Sequence, residues 1–128
     1  MSAHRTYLGG CHCGAVRFEV DITGEPEVWL CNCSICEMSG YQHLLVEKER
    51  FRLLSGSDKL SSYRFNTGVA QHLFCSGCGI KSFYVPRSHP DGFSVNVRCL
   101  DGSPLALVEA RHFDGQNWER NADDFSER

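Results

Sequence analysis

The sequence predicts a mainly β domain of many short strands, with metal sites anchored on its turns. Three observations support this prediction. Apolar and polar residues alternate with a period of two in most segments, no segment carries a sustained 3.6-residue apolar stripe, and seven of the eight cysteines fall into three tight clusters. With 128 residues and a mass of 14.4 kDa, the chain is expected to form one zinc-binding domain over 1–128.

Two segments show the alternation most clearly. Val16, Phe18 and Val20 alternate with polar or small residues, as do the apolar residues of segment 93–99, so each segment is predicted to be a half-buried strand. A turn is expected at Gly9 and Gly10. Short helical turns are expected after Cys33 and over 118–125. Further short strands are predicted over 28–30, 43–47, 52–54, 61–65, 71–74, 81–85 and 107–112.

Composition and charge exclude several classes of function. The net charge is -3 and no Lys/Arg run is present, so no nucleic-acid partner is expected. No apolar stretch approaches the roughly 20 residues of a membrane helix, so no membrane association is expected. The N-terminal residues lack the apolar region of a signal peptide, which predicts a cytoplasmic protein with reduced thiols. Four disulfides are the alternative, but cysteines in a C-x-C pair are too close for easy mutual bridging.

Two of the cysteine clusters are expected to combine into one closed site. Cys11 and Cys13 form a C-x-C, and Cys75 and Cys78 form a C-x-x-C with glycines interleaved. Two such pairs from distant parts of the chain can place four thiolates around one zinc ion, which stabilises the fold and contributes little chemistry. The alternative for the C-x-x-C is a redox pair, which requires a βαβ context that the flanking strands do not offer.

The third cluster supplies only three sulfurs, from Cys31, Cys33 and Cys36. A zinc ion held there keeps a vacant fourth position, which is typical of a catalytic or substrate-binding metal. Cys99 is the remaining cysteine, and it is expected to lie buried on a strand as a small hydrophobic residue. The alternative is a second structural site that a histidine or Cys99 closes, or a site that stays empty.

The three-thiolate ligand set favours thiol chemistry over hydrolysis. Three thiolates give a zinc site a net charge near -1, which makes it a poor Lewis acid compared with zinc on three neutral imidazoles. Such a site suits another soft donor, so an incoming thiol can lose its proton and attack a carbonyl carbon. His43, His72 and Arg98 are candidates for the surrounding pocket, as proton carriers or as a carboxylate ligand. The alternative for each is a surface or internally satisfied side chain.

Three stretches carry a resemblance to a known family. They are Gly-Gly-Cys-His-Cys-Gly at 9–14, Cys-Asn-Cys-Ser-Ile-Cys at 31–36 and Phe-Cys-Ser-Gly-Cys-Gly at 74–79. Together they resemble the glutathione-dependent formaldehyde-activating family, and within it the centromere protein V type, over about residues 7–120. The resemblance implies an Mss4-like fold, with short antiparallel strands in packed sheets. It also implies two zinc ions per chain, a structural one on Cys11, Cys13, Cys75 and Cys78 and a catalytic one on Cys31, Cys33 and Cys36.

The activity that this resemblance implies is that of a carbon–sulfur lyase. In the synthetic direction, glutathione adds to formaldehyde and gives S-(hydroxymethyl)glutathione. The expected partners are therefore a small-molecule thiol and a small aldehyde. The sequence does not predict the oligomeric state. The rival interpretation is a non-catalytic interaction module or zinc chaperone, which the same fold permits.

Overall fold

A computed structural model of the chain describes residues 4–24, 26–65, 68–102, 110–114, 117 and 119. The described residues form ten strands, one short α-helix and three 3-10 turns, so the mainly β prediction is confirmed. The 3-10 turns span Lys48–Arg50, Ser57–Lys59 and Val97–Cys99. In chain order the other elements are β1 (His4–Gly10), β2 (Arg17–Thr23), β3 (Val28–Cys31), α1 (Ser34–Ser39), β4 (His43–Glu47), β5 (Phe51–Ser55), β6 (Leu60–Tyr63), β7 (His72–Cys75), β8 (Phe83–Tyr84), β9 (Gly92–Asn96) and β10 (Ala110–Phe113).

The strands form three sheets. One sheet has the order β1-β2-β5, the second has the order β10-β3-β4-β9-β8, and β6 pairs with β7 in the third. The strand pairs within these sheets are antiparallel, as expected, except for one pair. Strand β10 runs parallel to β3, with Phe113 opposite Cys31 at the end of the pair. This pairing brings the end of β10 to the segment that holds the third cysteine cluster.

The core lies between the first two sheets and is built on the alternation of β2. Phe18 and Val20 are fully buried, whereas the alternating residues Arg17, Glu19 and Asp21 are half-buried. The Phe18 ring stacks on Phe51 at 5.2 Å and meets the edge of Phe83 at 5.9 Å, so aromatic contacts join the two sheets. Burial of each such side chain contributes roughly 1.5–3 kcal/mol.

The expected turn at Gly9 and Gly10 is wrong, because both residues belong to β1. The prediction treated these glycines as turn formers, but the structure uses them for close approach. A Cβ on Gly9 would lie 2.7 Å from the carbonyl oxygen of Cys99, and one on Gly10 would lie 2.1 Å from that of Val16. The missing side chains therefore let β1 pack directly against neighbouring backbone.

The strand predicted over 93–99 ends early. Strand β9 stops at Asn96, whose side-chain oxygen accepts a hydrogen bond from the backbone N–H of Arg98 at 3.2 Å and caps a 3-10 turn. Asparagine commonly competes for backbone groups in this way. Arg98 is consequently exposed, and Cys99 is half-buried in the turn rather than buried on a strand.

Two of the predicted segments lie partly or wholly outside the described residues. These are the start of the strand over 107–112 and the helical turn over 118–125, of which only residue 119 is described. In the part of the chain that the structure describes, no helix is long and apolar enough to cross a membrane.

Candidate metal centres

The first candidate centre, the four-cysteine cluster, joins two distant turns. Cys11 and Cys13 lie between β1 and β2, and Cys75 and Cys78 lie where β7 ends and turns toward β8. The four Sγ atoms all lie within 4.8 Å of one another. A tight turn holds Cys75 and Cys78 close together. In this turn the N–H of Gly79 donates to the carbonyl of Cys75 at 2.7 Å. The two pairs predicted from the sequence therefore meet at one point.

The distances in the four-cysteine cluster fit a tetrahedral metal. The Sγ atoms of Cys11 and Cys13 are 3.6 Å apart, and those of Cys13 and Cys75 are 3.7 Å apart. Four sulfurs that each lie about 2.3 Å from a zinc ion are separated by about 3.8 Å. A disulfide requires about 2.05 Å, and all eight cysteines are free thiols in the structure. The donor set and its spacing thus match a closed four-thiolate zinc site.

Backbone N–H groups stabilise the thiolate form of the sulfurs in this cluster. Val16 donates its N–H to the Sγ of Cys11 at 3.3 Å, and Gly77 does so to the Sγ of Cys75 at 3.3 Å. Hydrogen bonds from the backbone of Cys13 and Ile80 lower the pKa of Cys78 to about 6. Such N–H donors favour the charged sulfur, which is the form that binds metal.

The second candidate centre, the three-cysteine cluster, is built on one short segment. Cys31 ends β3, Cys33 precedes α1 and Cys36 lies buried in its first turn, with all three Sγ atoms within 4.8 Å of one another. Asn32 anchors the segment to the end of β10. Its N–H donates to the carbonyl of Phe113 at 3.2 Å, and its Nδ2 donates to Oδ1 of Asp114 at 3.0 Å.

The three thiols strongly affect one another's ionisation. Hydrogen bonds from the Cys31 and Cys36 thiols lower the pKa of Cys33 to about 2. The same contacts raise the pKa of Cys31 to about 11 and raise that of Cys36 far above its ordinary value. These shifts follow from hydrogen bonds within the cluster and, more weakly, from repulsion between neighbouring negative charges. A bound dication would offset this repulsion and permit all three thiolates.

The three-cysteine cluster gains no fourth protein ligand from the described residues. No other histidine, cysteine or acidic side chain in that part of the chain joins the group within 4.8 Å, and this includes Cys99 and His43. Three soft sulfurs with room for one further ligand fit a zinc ion that binds a fourth group from outside.

A lysine lies within electrostatic reach of this cluster. Lys81 is half-buried, and its Nζ lies 4.0 Å from the centre of the Tyr84 ring and 5.0 Å from that of Tyr41. The same Nζ donates to Nδ1 of His72 at 2.7 Å. Burial lowers the pKa of Lys81 to about 8, against the opposing pull of the three cysteine thiolates. Lys81 thus places a positive charge within electrostatic reach of the three sulfurs.

Two buried histidines lie on the same side of the site. His43 is 3% exposed, and its Nδ1 lies 2.9 Å from the Ser94 hydroxyl and 3.2 Å from that of Tyr84. Its Nε2 is buried and has no hydrogen-bond partner among the described residues. Burial and the charge of Lys81 lower the pKa of His43 to about 3 and that of His72 to about 4. Both imidazoles are therefore neutral near pH 7.

The aromatic rings around these histidines extend from the site to the surface. Phe65 stacks on His72 at 5.4 Å, and His72 stacks on Tyr84 at 4.9 Å. Phe65 is exposed, whereas Tyr84 and Tyr41 are buried. The rings form a largely apolar surface, and the Lys81 ammonium group lies against two of them, those of Tyr41 and Tyr84.

A groove of about 530 Å³ reaches Cys31 and Cys36. Tyr41, Phe113 and the exposed Arg98 also line it. This volume lies in the range of about 300–1,000 Å³ that is usual for small-molecule sites. A larger groove of about 1160 Å³ lies elsewhere, around Trp29 and His89, and no cysteine lines it.

The structure brings the three predicted pocket residues into the surroundings of the three-cysteine cluster. His43 and His72 act electrostatically on Cys33, whereas Arg98 lines the groove at Cys31 and Cys36. Their roles stay predictions. Sequence analysis did not single out Lys81 as a site residue, and no pattern in the sequence identifies it, because a lysine at the start of a strand is ordinarily exposed.

Two comparisons with known proteins show the family and the fold of the chain. The family model described as glutathione-dependent formaldehyde-activating enzyme matches residues 6–116. The fold is also similar to that of a Rhodobacter sphaeroides protein solved by crystallography, with a TM-score of 0.72 and 35% sequence identity. That match covers 83% of this chain and 99% of the other chain. The family resemblance predicted from the three cysteine stretches is thereby confirmed.

Proposed function

The chain belongs to the glutathione-dependent formaldehyde-activating enzyme family, and we propose that it catalyses the addition of a thiol such as glutathione to a small aldehyde such as formaldehyde. Read in the opposite direction, this activity is that of a carbon–sulfur lyase. The observation that carries the proposal is the three-cysteine cluster, whose sulfurs lie within 4.8 Å of one another without a fourth ligand from the described residues.

In this proposal the two clusters have different roles. Cys11, Cys13, Cys75 and Cys78 hold a structural zinc ion, and Cys31, Cys33 and Cys36 hold a second one. The second zinc would supply a soft position for the sulfur of the incoming thiol and would favour its thiolate form. Three anionic sulfurs make the same site a weak activator of water, which argues against hydrolysis. A reducing, cytoplasmic setting suits such a site, because its thiols must stay reduced.

The groove supplies the binding surface for the thiol. It leads to Cys31 and Cys36, and Arg98 lies exposed along it. A guanidinium binds a carboxylate through two parallel hydrogen bonds, and glutathione carries two carboxylates. The buried rings of Tyr41 and Phe113 give the groove an apolar surface for the rest of the thiol. The proposed substrate is therefore an anionic thiol whose sulfur reaches the cluster while its body stays in the groove.

The reaction is tested through its exchange rate, because thiols add to formaldehyde without an enzyme. Two-dimensional exchange NMR with ¹³C-formaldehyde and glutathione measures how fast free and thiol-bound formaldehyde interconvert. The zinc-loaded protein should accelerate this exchange, and Cys33→Ser should return it to the uncatalysed rate. Circular dichroism should show that Cys33→Ser stays folded, because its four-cysteine cluster is intact.

Cys99→Ser is the matched control, because Cys99 is half-buried and lies outside both clusters. It should retain the exchange activity. If the zinc-loaded wild-type protein leaves the exchange at the uncatalysed rate with glutathione, cysteine and 2-mercaptoethanol alike, the enzymatic proposal is wrong. The non-catalytic zinc-binding module would then be the better interpretation.

A further inference from the structure

The position of Lys81 is unusual for a lysine next to a strand. Its ammonium group lies 4.0 Å from the centre of the Tyr84 ring and 5.0 Å from that of Tyr41, within reach of the charges of all three sulfurs. Removing a lysine from water is costly unless its charge is compensated. The rings and the cysteine sulfurs compensate it here, so a positive charge can persist near the three-cysteine cluster.

Lys81 also keeps hydrogen-bonding capacity for a ligand. An ammonium group has three N–H donors, and the contact with Nδ1 of His72 at 2.7 Å uses one of them. The aromatic ring faces attract the charge of the ammonium group without acting as ordinary acceptors. An N–H of Lys81 therefore remains for an oxygen atom that approaches the sulfurs.

A second group on the same side of the site points to the same ligand chemistry. His43 is 3% exposed and its Nε2 has no partner among the described residues. The hydroxyls of Ser94 and Tyr84, at 2.9 and 3.2 Å, already occupy Nδ1, so Nε2 is the ring nitrogen left for a ligand. A buried polar nitrogen without a partner is costly, and in the tautomer with its proton on Nε2 a substrate oxygen would satisfy it.

We propose that Lys81 is a catalytic residue that binds the aldehyde oxygen and gives it a proton as the carbon–sulfur bond forms. This inference rests on the proposed function and deepens it. Negative charge that develops on oxygen beside three thiolates is strongly disfavoured, and a fixed ammonium group offsets it. His43 Nε2 is the second donor to the same oxygen.

The proposed step is balanced. The thiol loses its proton on binding, and its sulfur electron pair forms a bond to the carbonyl carbon. The π pair of the carbonyl moves to oxygen, which takes a proton from Lys81. The neutral amine then recovers one proton, which replaces the one that the thiol released, so thiol and aldehyde give a hydroxymethyl thioether with nothing left over. In the lyase direction, the neutral amine removes the hydroxyl proton. A lysine whose pKa lies near 8 suits both directions near neutral pH.

Three variants separate proton transfer from charge and from packing. Lys81→Arg keeps the charge but cannot release a proton near neutral pH, Lys81→Gln keeps a neutral donor, and Lys81→Met keeps only the length of the side chain. Lys59→Arg is the control, because Lys59 is exposed in a 3-10 turn. Each zinc-loaded protein is compared in metal content, in glutathione affinity by calorimetry and in formaldehyde exchange rate by NMR.

We expect Lys81→Arg to keep two zinc ions and to bind glutathione within a few-fold of the wild-type affinity. Its exchange rate at saturating thiol should fall by about 100-fold or more, which is the usual contribution of a general acid. Lys59→Arg should behave as the wild-type protein does. A structural role would reduce metal content or thiol affinity together with the rate, and that result in Lys81→Arg would overturn the proposal.

The outcomes distinguish this inference from the proposed function. An active wild-type protein with a fully active Lys81→Arg variant overturns the role of Lys81 and leaves the proposed function intact. An inactive wild-type protein overturns both. If Lys81→Met fails to fold, Lys81→Arg and Lys81→Gln still decide the question, because both keep a polar side chain at this position.

Discussion

At the scale of single residues, His43 shows how the site departs from an ordinary β core. It pairs with Trp29 and Asn96 within the five-stranded sheet, where an apolar side chain would be the usual choice. Its Nδ1 is satisfied by hydroxyl groups, but its Nε2 is not satisfied by any described residue. An unsatisfied buried ring nitrogen destabilises the fold, and the proposed contact with a substrate oxygen would offset that cost.

The ionisation of His43 predicts how stability depends on pH. Burial lowers its pKa to about 3, so between about pH 6.5 and pH 3 the unfolded chain binds more protons than the folded one. The stability that depends on neutral His43 is complete above about pH 6.5 and is lost as the pH falls toward 3. At pH 5 the loss relative to pH 7 is about 2 kcal/mol from this residue alone.

Urea unfolding of the zinc-loaded protein at pH 7 and pH 5 measures this loss. His43→Gln removes the titrating ring, so its free energy of unfolding should fall by about 2 kcal/mol less than that of the wild-type protein between the two pH values. Comparing the two differences cancels any loss of metal common to both proteins. An equal decline in the two proteins would contradict the assignment of His43 as a buried neutral imidazole.

At the scale of elements, the turn after β5 depends on a glycine. Gly56 has a φ of 89°, and a Cβ there would lie 2.3 Å from the carbonyl oxygen of Ala15 and 2.7 Å from the Cα of Val16. These atoms belong to the backbone beside the four-cysteine cluster, and they cannot move aside as a flexible side chain would. The close approach holds the end of β5 against the start of β2.

Gly56→Ala should therefore be more destabilising than alanine at a glycine in open space. Gly102 is the matched control, since its φ is 74° and a Cβ there meets nothing within 4 Å. Both substitutions cost about 1–2 kcal/mol of left-handed backbone strain. Gly56→Ala should cost about 1–3 kcal/mol more, because the backbone must also shift. Urea unfolding of the two variants makes the comparison, and equal losses of stability would contradict the close packing described for Gly56.

Some features at the scale of elements could be predicted from the sequence, and others could not. The strand β2 and both cysteine clusters were predictable, because alternation and ligand spacing are local patterns. Strand β1 was not predicted, since Gly9 and Gly10 carry the ordinary signal of a turn, and their actual role depends on backbone from distant segments. The position of Lys81 near the cluster could not be predicted from the sequence either. Its contacts with Tyr84 and His72 arise from the packing of β7 and β8 and have no counterpart in sequence spacing.

At the scale of the whole molecule, the two clusters differ in what they connect. The four-cysteine cluster brings together Cys13 and Cys75, which are 62 residues apart, so a metal there closes a long loop between separate sheets. The three-cysteine cluster lies entirely within segment 31–36 and closes no long loop. Metal binding at the first cluster should therefore stabilise the fold more than metal binding at the second, which agrees with the proposed catalytic role of the second.

Zinc X-ray absorption spectroscopy with and without glutathione tests this division most directly. With two zinc ions per chain, one bound by four sulfurs and one by three, the average should be about 3.5 sulfur ligands per zinc with one lighter ligand at the second site. Saturating glutathione should raise the average to about 4, because the thiol sulfur takes the remaining position. An average of four sulfurs before thiol is added, unchanged by glutathione, would contradict an open three-cysteine site.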